Sequence, residues 1–597
     1  MSVRAMRTSV LVSALAFLVA IVLVVPLHPS PVRADVANPI CPAEIVHFNP
    51  GTGQDIIVPT GFKVSVFKAG LNGPTGIAFR GDAKRFEVFV LESGHGLPSQ
   101  CNDDTSPIVG GQFSSANPFT PDILVFDQNG TLLRGPLGKP TSGGGGFQPS
   151  GPAIDIAFEQ GRKGGRLFAT DSNQSIRGGG QSNSSRIVTV DPDTGKVTPF
   201  ITGLPTGDHP SEMFAFKDGW IYWSQGSTTN AGVVGHDNNN GANQQDIPCQ
   251  QIKLSNNVFD SGDGHKTSGY SPHGKARPGA TVEAFESATG RGICDGAILR
   301  AKLNAANPKA TIEPFSWGYR NPYGLRFAPK NHTLQGNLFV TENGEDERGA
   351  RPTNNAPDRL HLAKQNPDGS PDYHGWPDRF GFLDSTQAVF NPVGGPGDDL
   401  CVGANNPPSN CTPTSLANIL SKNIPVKSVL AFPPQPITAP LAIEPADVAL
   451  VGVDFVPKTF AVGVVKPGAA LIGREGDFGF SAENGIPGAG HDVILVNFSR
   501  PGEPLQLQTS LFARNSNFEQ AFPDGLRGIN RPTNLRFGPD GCAYLVDCGA
   551  VRDFGQSDPA TKFITPADGP LVQIPGTGVI WKICGPVVGV EPEEDDD

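Results

Sequence analysis

Methionine (3 residues), tryptophan (5) and tyrosine (6) are scarce in this 597-residue chain, and charged residues make up only 17% of it. Together with 74 glycines and 57 prolines, that balance suits many short strands joined by long turns and speaks against a mainly helical fold. Cysteine is present nine times, but never as Cys-x-x-Cys or Cys-x-x-Cys-His, which disfavours structural zinc and c-type haem. No Gly-x-Ser-x-Gly elbow supports a serine hydrolase, and Gly143–Gly146 lacks the strand and helix that frame a dinucleotide loop. Basic residues are outnumbered, 46 to 58, so the net charge of −12 leaves nucleic acid an unfavourable partner.

What the chain does hold begins with Arg4 and Arg7, an apolar run from about Val10 to Leu27, and Val32-Arg-Ala34. Small residues there fit a signal-peptidase cut after Ala34, so residues 1–34 are expected to be a signal peptide, with an uncleaved membrane anchor as the alternative. Either way the remainder is expected outside the cytoplasm, secreted or periplasmic. Residues 35–590 form the expected folded domain, and Glu591–Asp597 reads as a solvated acidic tail. In an oxidising compartment the cysteines are expected to pair, for example Cys401 with Cys411 and Cys249 with Cys294, and an odd total leaves one thiol over.

A recurring unit organises the domain: a short apolar run containing Phe, a turn, and a second apolar run ending near an acidic or amide residue and Gly. Six copies align, opening at Gly73, Ala153, Ser211, Asn321, Val451 and Arg531, with second runs at Val88–Gly94, Arg166–Asp171, Ile221–Gly226, Leu338–Gly344, Ala470–Gly473 and Ala543–Asp547. A two-stranded unit cannot bury both faces alone, and radial packing of six of them gives an all-β, six-bladed β-propeller; a β-sandwich is the competing arrangement. Long inter-blade insertions are expected at about 95–120, 228–290, 384–445 and 501–530, building the functional face. The strand-like Gly576–Ile583 is expected to share a blade with Phe62–Phe67 and close the ring.

Three stretches carry candidate chemistry: Gly203-Leu-Pro-Thr-Gly-Asp-His-Pro210, Gly318-Tyr-Arg-Asn-Pro-Tyr-Gly-Leu325 and Thr341-Glu-Asn-Gly-Glu-Asp-Glu-Arg348. His209 stands at a blade entrance, where an imidazole can take a proton near neutral pH with Asp208 holding the ring, or can simply bond to backbone as a loop residue. Arg320 and Asn321 occupy the corresponding place in the fourth unit, and Arg531 opens the sixth. A guanidinium there offers paired hydrogen bonds to carboxylates, or ties blades together through carbonyls. Gly344-Glu-Asp-Glu347 offers carbonyl and carboxylate oxygens, the ligand type of a hard cation such as Ca²⁺, or forms a solvated acidic loop.

At these stretches, and through Asp372-Tyr-His-Gly-Trp-Pro377 and the sixth unit, the chain resembles the glucose/sorbosone dehydrogenase family of quinoproteins. The resemblance covers the six blade cores and not the long insertions. It implies oxidation of an aldose, polyol or aldehyde by hydride transfer to pyrroloquinoline quinone (PQQ), with electrons passing to an external acceptor. It implies His209, assisted by Asp208, as general base, and Arg320, Asn321 and Arg531 as cofactor-binding residues. The carbonyls of Gly344 and Glu345 would hold Ca²⁺, with Asp346, Glu347 or Asp358 serving a neighbouring site. Gln148 is at best a displaced equivalent of the family's glutamine, and Lys458 is the nearest candidate for its quinone-binding lysine. A Ca²⁺-dependent propeller lactonase and a non-enzymatic binding propeller remain the alternatives.

Overall fold

In the computed structural model of the chain, the structure describes residues 35–37, 45–47, 50–94, 120–139, 145–148, 151–173, 184–235, 244–260, 265–285, 292–346, 350–351, 353, 356–384, 426–476, 490–516, 527–549, 551–552, 572–573 and 576–586. The six repeated units are the six inner strand pairs of a β-propeller. The innermost strands are Pro74–Asp82, Ile156–Phe158, Ser211–Lys217, Asn321–Phe327, Leu450–Phe455 and Pro532–Phe537. Each pairs antiparallel with its successor in sequence, and each sheet grows outward to four or five strands.

These inner pairs were legible as apolar runs because they are buried on both faces: every residue of Leu450–Phe455 and of Ala543–Asp547 is buried. Apolar side chains cluster between neighbouring blades, one cluster at each of the six junctions, so the core is a ring of interfaces. Polar side chains then stitch each junction near the axis. Thr75 Oγ1 donates to the Ala153 carbonyl (3.0 Å), Asp155 accepts the Phe214 N–H (3.2 Å), and Ser224 Oγ donates to the Tyr323 carbonyl (3.0 Å). Thr341 Oγ1 donates to the Val451 carbonyl (2.7 Å), Asp454 accepts the Phe537 N–H (2.9 Å), and Thr533 Oγ1 donates to the Pro74 carbonyl (3.1 Å).

The ring closes as the sequence implied. Strand Lys63–Leu71 forms the outer edge of the sixth sheet against Gly578–Cys584, with Trp581 opposite Val66. The disulfide Cys249–Cys294 is present, and a second one, Cys542–Cys584, staples two strands of the closing blade. Cys548 is the free, buried thiol among the described residues, while Cys401 and Cys411 lie outside them. Two insertions were drawn too wide. Leu507–Asn515, inside 501–530, is the fourth strand of the fifth blade, and Ala442–Ala446, at the end of 384–445, is the outer strand of the fourth. Ala442–Ala446 exposes alternate residues and Leu507–Asn515 exposes four in a row, so neither reads as an apolar run. Among the described residues no helix is long and apolar enough to cross a membrane; residues 1–34 lie outside them.

Candidate functional site

Within every blade the first strand starts, and the second ends, at the same end of the ring. The registers Ser211↔Gln225, Asn321↔Asn343, Leu450↔Arg474 and Pro532↔Asp547 set this. Asp208, His209, Arg320, Asn321, Arg531 and the Gly344–Asp346 turn therefore share one end of the channel. Lys458 does not. It lies in the connection leaving the Phe455↔Ala470 end of the fifth blade, a whole strand away. Sequence spacing cannot tell which end of a hairpin a turn residue occupies, and the structure removes Lys458 from the group.

His209 is fixed through its backbone and its close neighbour. Its N–H donates to the Ser227 carbonyl (3.0 Å), and Asp208 N–H donates to that of Thr228 (2.9 Å). A Cβ on Gly226 would come 2.1 Å from His209 Cβ, so glycine is required there for the imidazole to sit where it does. The facing Thr228–Thr229 segment is clamped by two buried acids. Asp295 accepts Thr228 N–H and hydroxyl, and Asp246 accepts Thr229 N–H (3.0 Å) and hydroxyl (2.6 Å). Burial raises both carboxyls, Asp246 to about 6. Asp208 Oδ2 stands 3.4 Å from His209 Nδ1 and 3.6 Å from Arg320 Nη2.

Arg320, 3% exposed, gathers the oxygens of the site. Its Nε donates to Asn230 Oδ1 (2.9 Å), Nη1 to the Gly344 carbonyl (2.6 Å) and Nη2 to Asp346 Oδ2 (2.5 Å). Asn321 donates to Asn343 Oδ1 (2.8 Å). Glu345 turns inward, where its Oε2 takes the Arg359 guanidinium (2.6 Å), and Asp358 Oδ1 accepts the Gly344 N–H (2.6 Å). Burial lifts Asp358 to about 7, against that hydrogen bond. Glu347 lies outside the described residues. Arg320, Arg359 and the Gly344 N–H thus take the Gly344 carbonyl and one oxygen each of Asp346, Glu345 and Asp358, while Glu345 Oε1 and Asp358 Oδ2 are buried without a hydrogen-bond partner; no cluster of three or more His, Cys, Asp or Glu is placed to hold a metal among the described residues. The turn binds an arginine through part of its oxygens and leaves two buried carboxylate oxygens, the donor type of a hard cation, without a partner.

Arg531 is fully buried, with Nη1 donating to the Gly476 carbonyl (3.1 Å) of the neighbouring blade. Gln148 lies at the same end, its N–H donating to Asp171 (3.0 Å). For an anionic quinone the donor set fits in kind: two arginines and an amide, Arg320, Arg531 and Asn321, ring one end of the channel.

Sequence reasoning missed two acids at this end. Burial raises Glu212 well above the carboxylate range, with the charge of Glu475 adding to it and Arg320 opposing, and burial lifts Glu475 to about 7 against the pull of Arg531. Only the folded ring brings the charge of Glu475, from the fifth blade, to Glu212 in the third. A chain of buried histidines behind Arg320 was missed as well.

No family model matches the sequence, and no curated protein does. Solved structures similar to it are described as follows. The PQQ domain of a pyranose dehydrogenase from Coprinopsis cinerea, in holo form, is 15% identical with a TM-score of 0.46, over 89% of this chain and 97% of that one. A soluble aldose sugar dehydrogenase from Escherichia coli, in apo form, is 14% identical with a TM-score of 0.42, over 88% and 99%. The PQQ-bound aldose sugar dehydrogenase of Streptomyces coelicolor is 13% identical with a TM-score of 0.36, over 88% and 100%. At these identities and scores no residue role is taken from them.

Proposed function

We propose that this chain is an oxidoreductase acting outside the cytoplasm on an aldose, or a related polyol or aldehyde, with PQQ as hydride acceptor and an external electron acceptor downstream. The observation that carries the reading is the line His209–Asp208–Arg320 at one channel end, with separations of 3.4 and 3.6 Å. An imidazole beside a carboxylate, itself neutralised by an arginine, is the arrangement of an oriented general base.

PQQ, when bound, supplies the two-electron acceptor. Arg320, Arg531 and Asn321 are the residues that would hold its carboxylate and carbonyl oxygens. His209 takes the hydroxyl proton of the substrate while the carbon-bound hydrogen leaves with its electron pair, so an alcohol becomes a carbonyl. Asp208 keeps the imidazole in place and stabilises its protonated form. Ca²⁺, if it binds, would be held at the Gly344–Asp346 turn and Asp358, where Glu345 Oε1 and Asp358 Oδ2 have no other partner, and no step is routed through it. The two disulfides support an extracytoplasmic location.

The test is reconstitution. Apo protein given PQQ, in buffer with and without Ca²⁺, should bind it and show a quinone spectrum that an aldose, polyol or aldehyde bleaches. Absence of binding, or a bound quinone that no member of a broad panel of these substrates reduces, overturns the reading.

A further inference from the structure

Behind Arg320 lies a file of buried titratable groups that the reaction above does not use. Arg320 N–H donates to Glu342 Oε1 (2.7 Å), and the other oxygen, Glu342 Oε2, faces His361 Nε2 (2.7 Å) and Arg359 Nη1 (3.1 Å). His361 Nδ1 faces His374 Nδ1 at 3.0 Å, and His374 Nε2 lies 3.2 Å from Asp372 Oδ2; neither of these last two atoms has a hydrogen-bond partner elsewhere among the described residues. Tyr319, the residue before Arg320, stacks on His374 (4.5 Å, 22°) and meets the His361 ring edge-on (5.2 Å, 79°). Glu342, His361, His374, Asp372 and Tyr319 are each at most 3% exposed.

Counting hydrogens gives the file a direction. Glu342 accepts the Arg320 N–H on one oxygen and faces the Arg359 guanidinium with the other, so the carboxylate is an acceptor and His361 Nε2 must carry the hydrogen. Burial pushes the His361 pKa down to about 4, leaving a neutral ring with a bare Nδ1. His374 Nδ1 must then donate across the 3.0 Å gap. His374 Nε2 and Asp372 Oδ2 stand 3.2 Å apart without hydrogen-bond geometry, so the file of hydrogen bonds begins at His374. Both donors therefore point from His374 through His361 towards Glu342, and a file polarised one way strengthens each of its bonds.

We propose that His361 and His374 are positioning residues: the directed chain His374–His361–Glu342, with the Tyr319 ring against both imidazoles, fixes the backbone at Tyr319-Arg320 and so aims the Arg320 guanidinium at the site. This inference rests on the reading of Arg320 as a cofactor-binding group. The groups facing the two imidazoles are Glu342 and Arg359 from the fourth blade, Asp372 from the strand added to the third, and Tyr319 from the link between these blades.

The experiment uses the full-length apo protein labelled with ¹⁵N at histidine and arginine. One strongly deshielded Nδ1–H proton, coupled through its hydrogen bond to a second imidazole nitrogen, is the expected signature of the pair. His361→Leu should abolish it and shift the Arg320 Nε–H resonance. His361→Gln, which can still donate to Glu342, should lose the coupling yet return the Arg320 resonance most of the way. His374→Asn, which keeps a donor where Nδ1 stood, should leave the Arg320 resonance near its wild-type position. PQQ affinity, measured on the same proteins, should fall about 10-fold or more in His361→Leu and recover in His361→Gln, the size expected for loss of one charge-assisted hydrogen bond. An unmoved Arg320 resonance in folded His361→Leu, or no coupled imidazole pair in the wild type, overturns the proposal. Should His361→Leu not fold, the Gln and Asn variants decide it: loss of the Arg320 position in both refutes the donor geometry. A wild type that shows the coupled pair but binds no PQQ refutes the functional reading and leaves the positioning of Arg320 to be judged by its resonance.

Discussion

At the scale of single residues, the site depends on how closely His209 approaches its neighbours. Replacing His209 by Gln removes the base but leaves its backbone bonds to Ser227 intact. Turnover should fall by about 10² to 10⁴ while quinone affinity and melting temperature stay near wild type. Gly226→Ala should fail differently. The new methyl meets His209 Cβ and forces it aside, so reductive half-reaction rate falls although the histidine is still present, and overpacking costs about 1–3 kcal/mol of stability. Stopped-flow reduction and thermal melts on both variants check this; unchanged reduction by His209→Gln removes the histidine from the mechanism. His209 and Arg320 could be found from sequence because each stands beside a turn that opens a repeat. His361 could not. In Pro357–Ala363 it alternates with leucines as any buried strand residue would, and its partner His374 belongs to another sheet.

At the scale of elements, the innermost strands were legible because burial on both faces makes their apolar runs continuous. Outer strands were not: Leu132–Leu137 and Val197–Leu204 show broken patterns of half-exposed residues, and the same holds for Leu507–Asn515. Pairing of Cys249 with Cys294 could be proposed from the loop they bracket, whereas Cys542 and Cys584 meet only because the last strand lies beside the second strand of the sixth blade. That disulfide, closing a span of 42 residues, anchors the strand on which the ring's closure depends. By chain-entropy reasoning its removal should cost up to about 4 kcal/mol. Cys542→Ala/Cys584→Ala should therefore melt at lower temperature than the wild type, with faster exchange of amide hydrogens in Lys63–Leu71 and Gly578–Cys584. Equal melting and unchanged exchange would show that strand pairing alone suffices.

For the whole molecule, buried ionisable groups set a pH optimum of stability. Burial lifts Glu92 to about 8, with Asp122 beside it at about 6, and lifts Asp171 to about 6 and Glu475 to about 7. The folded chain therefore holds protons that the unfolded chain releases near pH 4, so this contribution is full below about 4 and drains as pH rises through 6 to 8. Burial pushes three histidines the other way, His332 and His361 to about 4 and His491 to about 3. Their contribution is full above about 6.5 and is lost as pH falls through 4. Because the raised carboxyls, Asp246 and Asp358 among them, outnumber the three histidines, the melting temperature should peak at about pH 4 to 5 and fall on both sides, and Glu92→Gln should flatten the alkaline limb. A melting temperature that rises between pH 7 and 9 would contradict this accounting.

The pairing of Lys63–Leu71 with Gly578–Cys584 also has a meaning in time. Lys63–Leu71, among the first strands of the propeller to leave the ribosome, is the last to find its partner, because that partner is made some five hundred residues later. Until then one edge of the growing array stays open to any other strand, and the slowest event in folding is the meeting of the two ends. Whatever delivers the chain to its destination must guard that open seam until the final strand arrives.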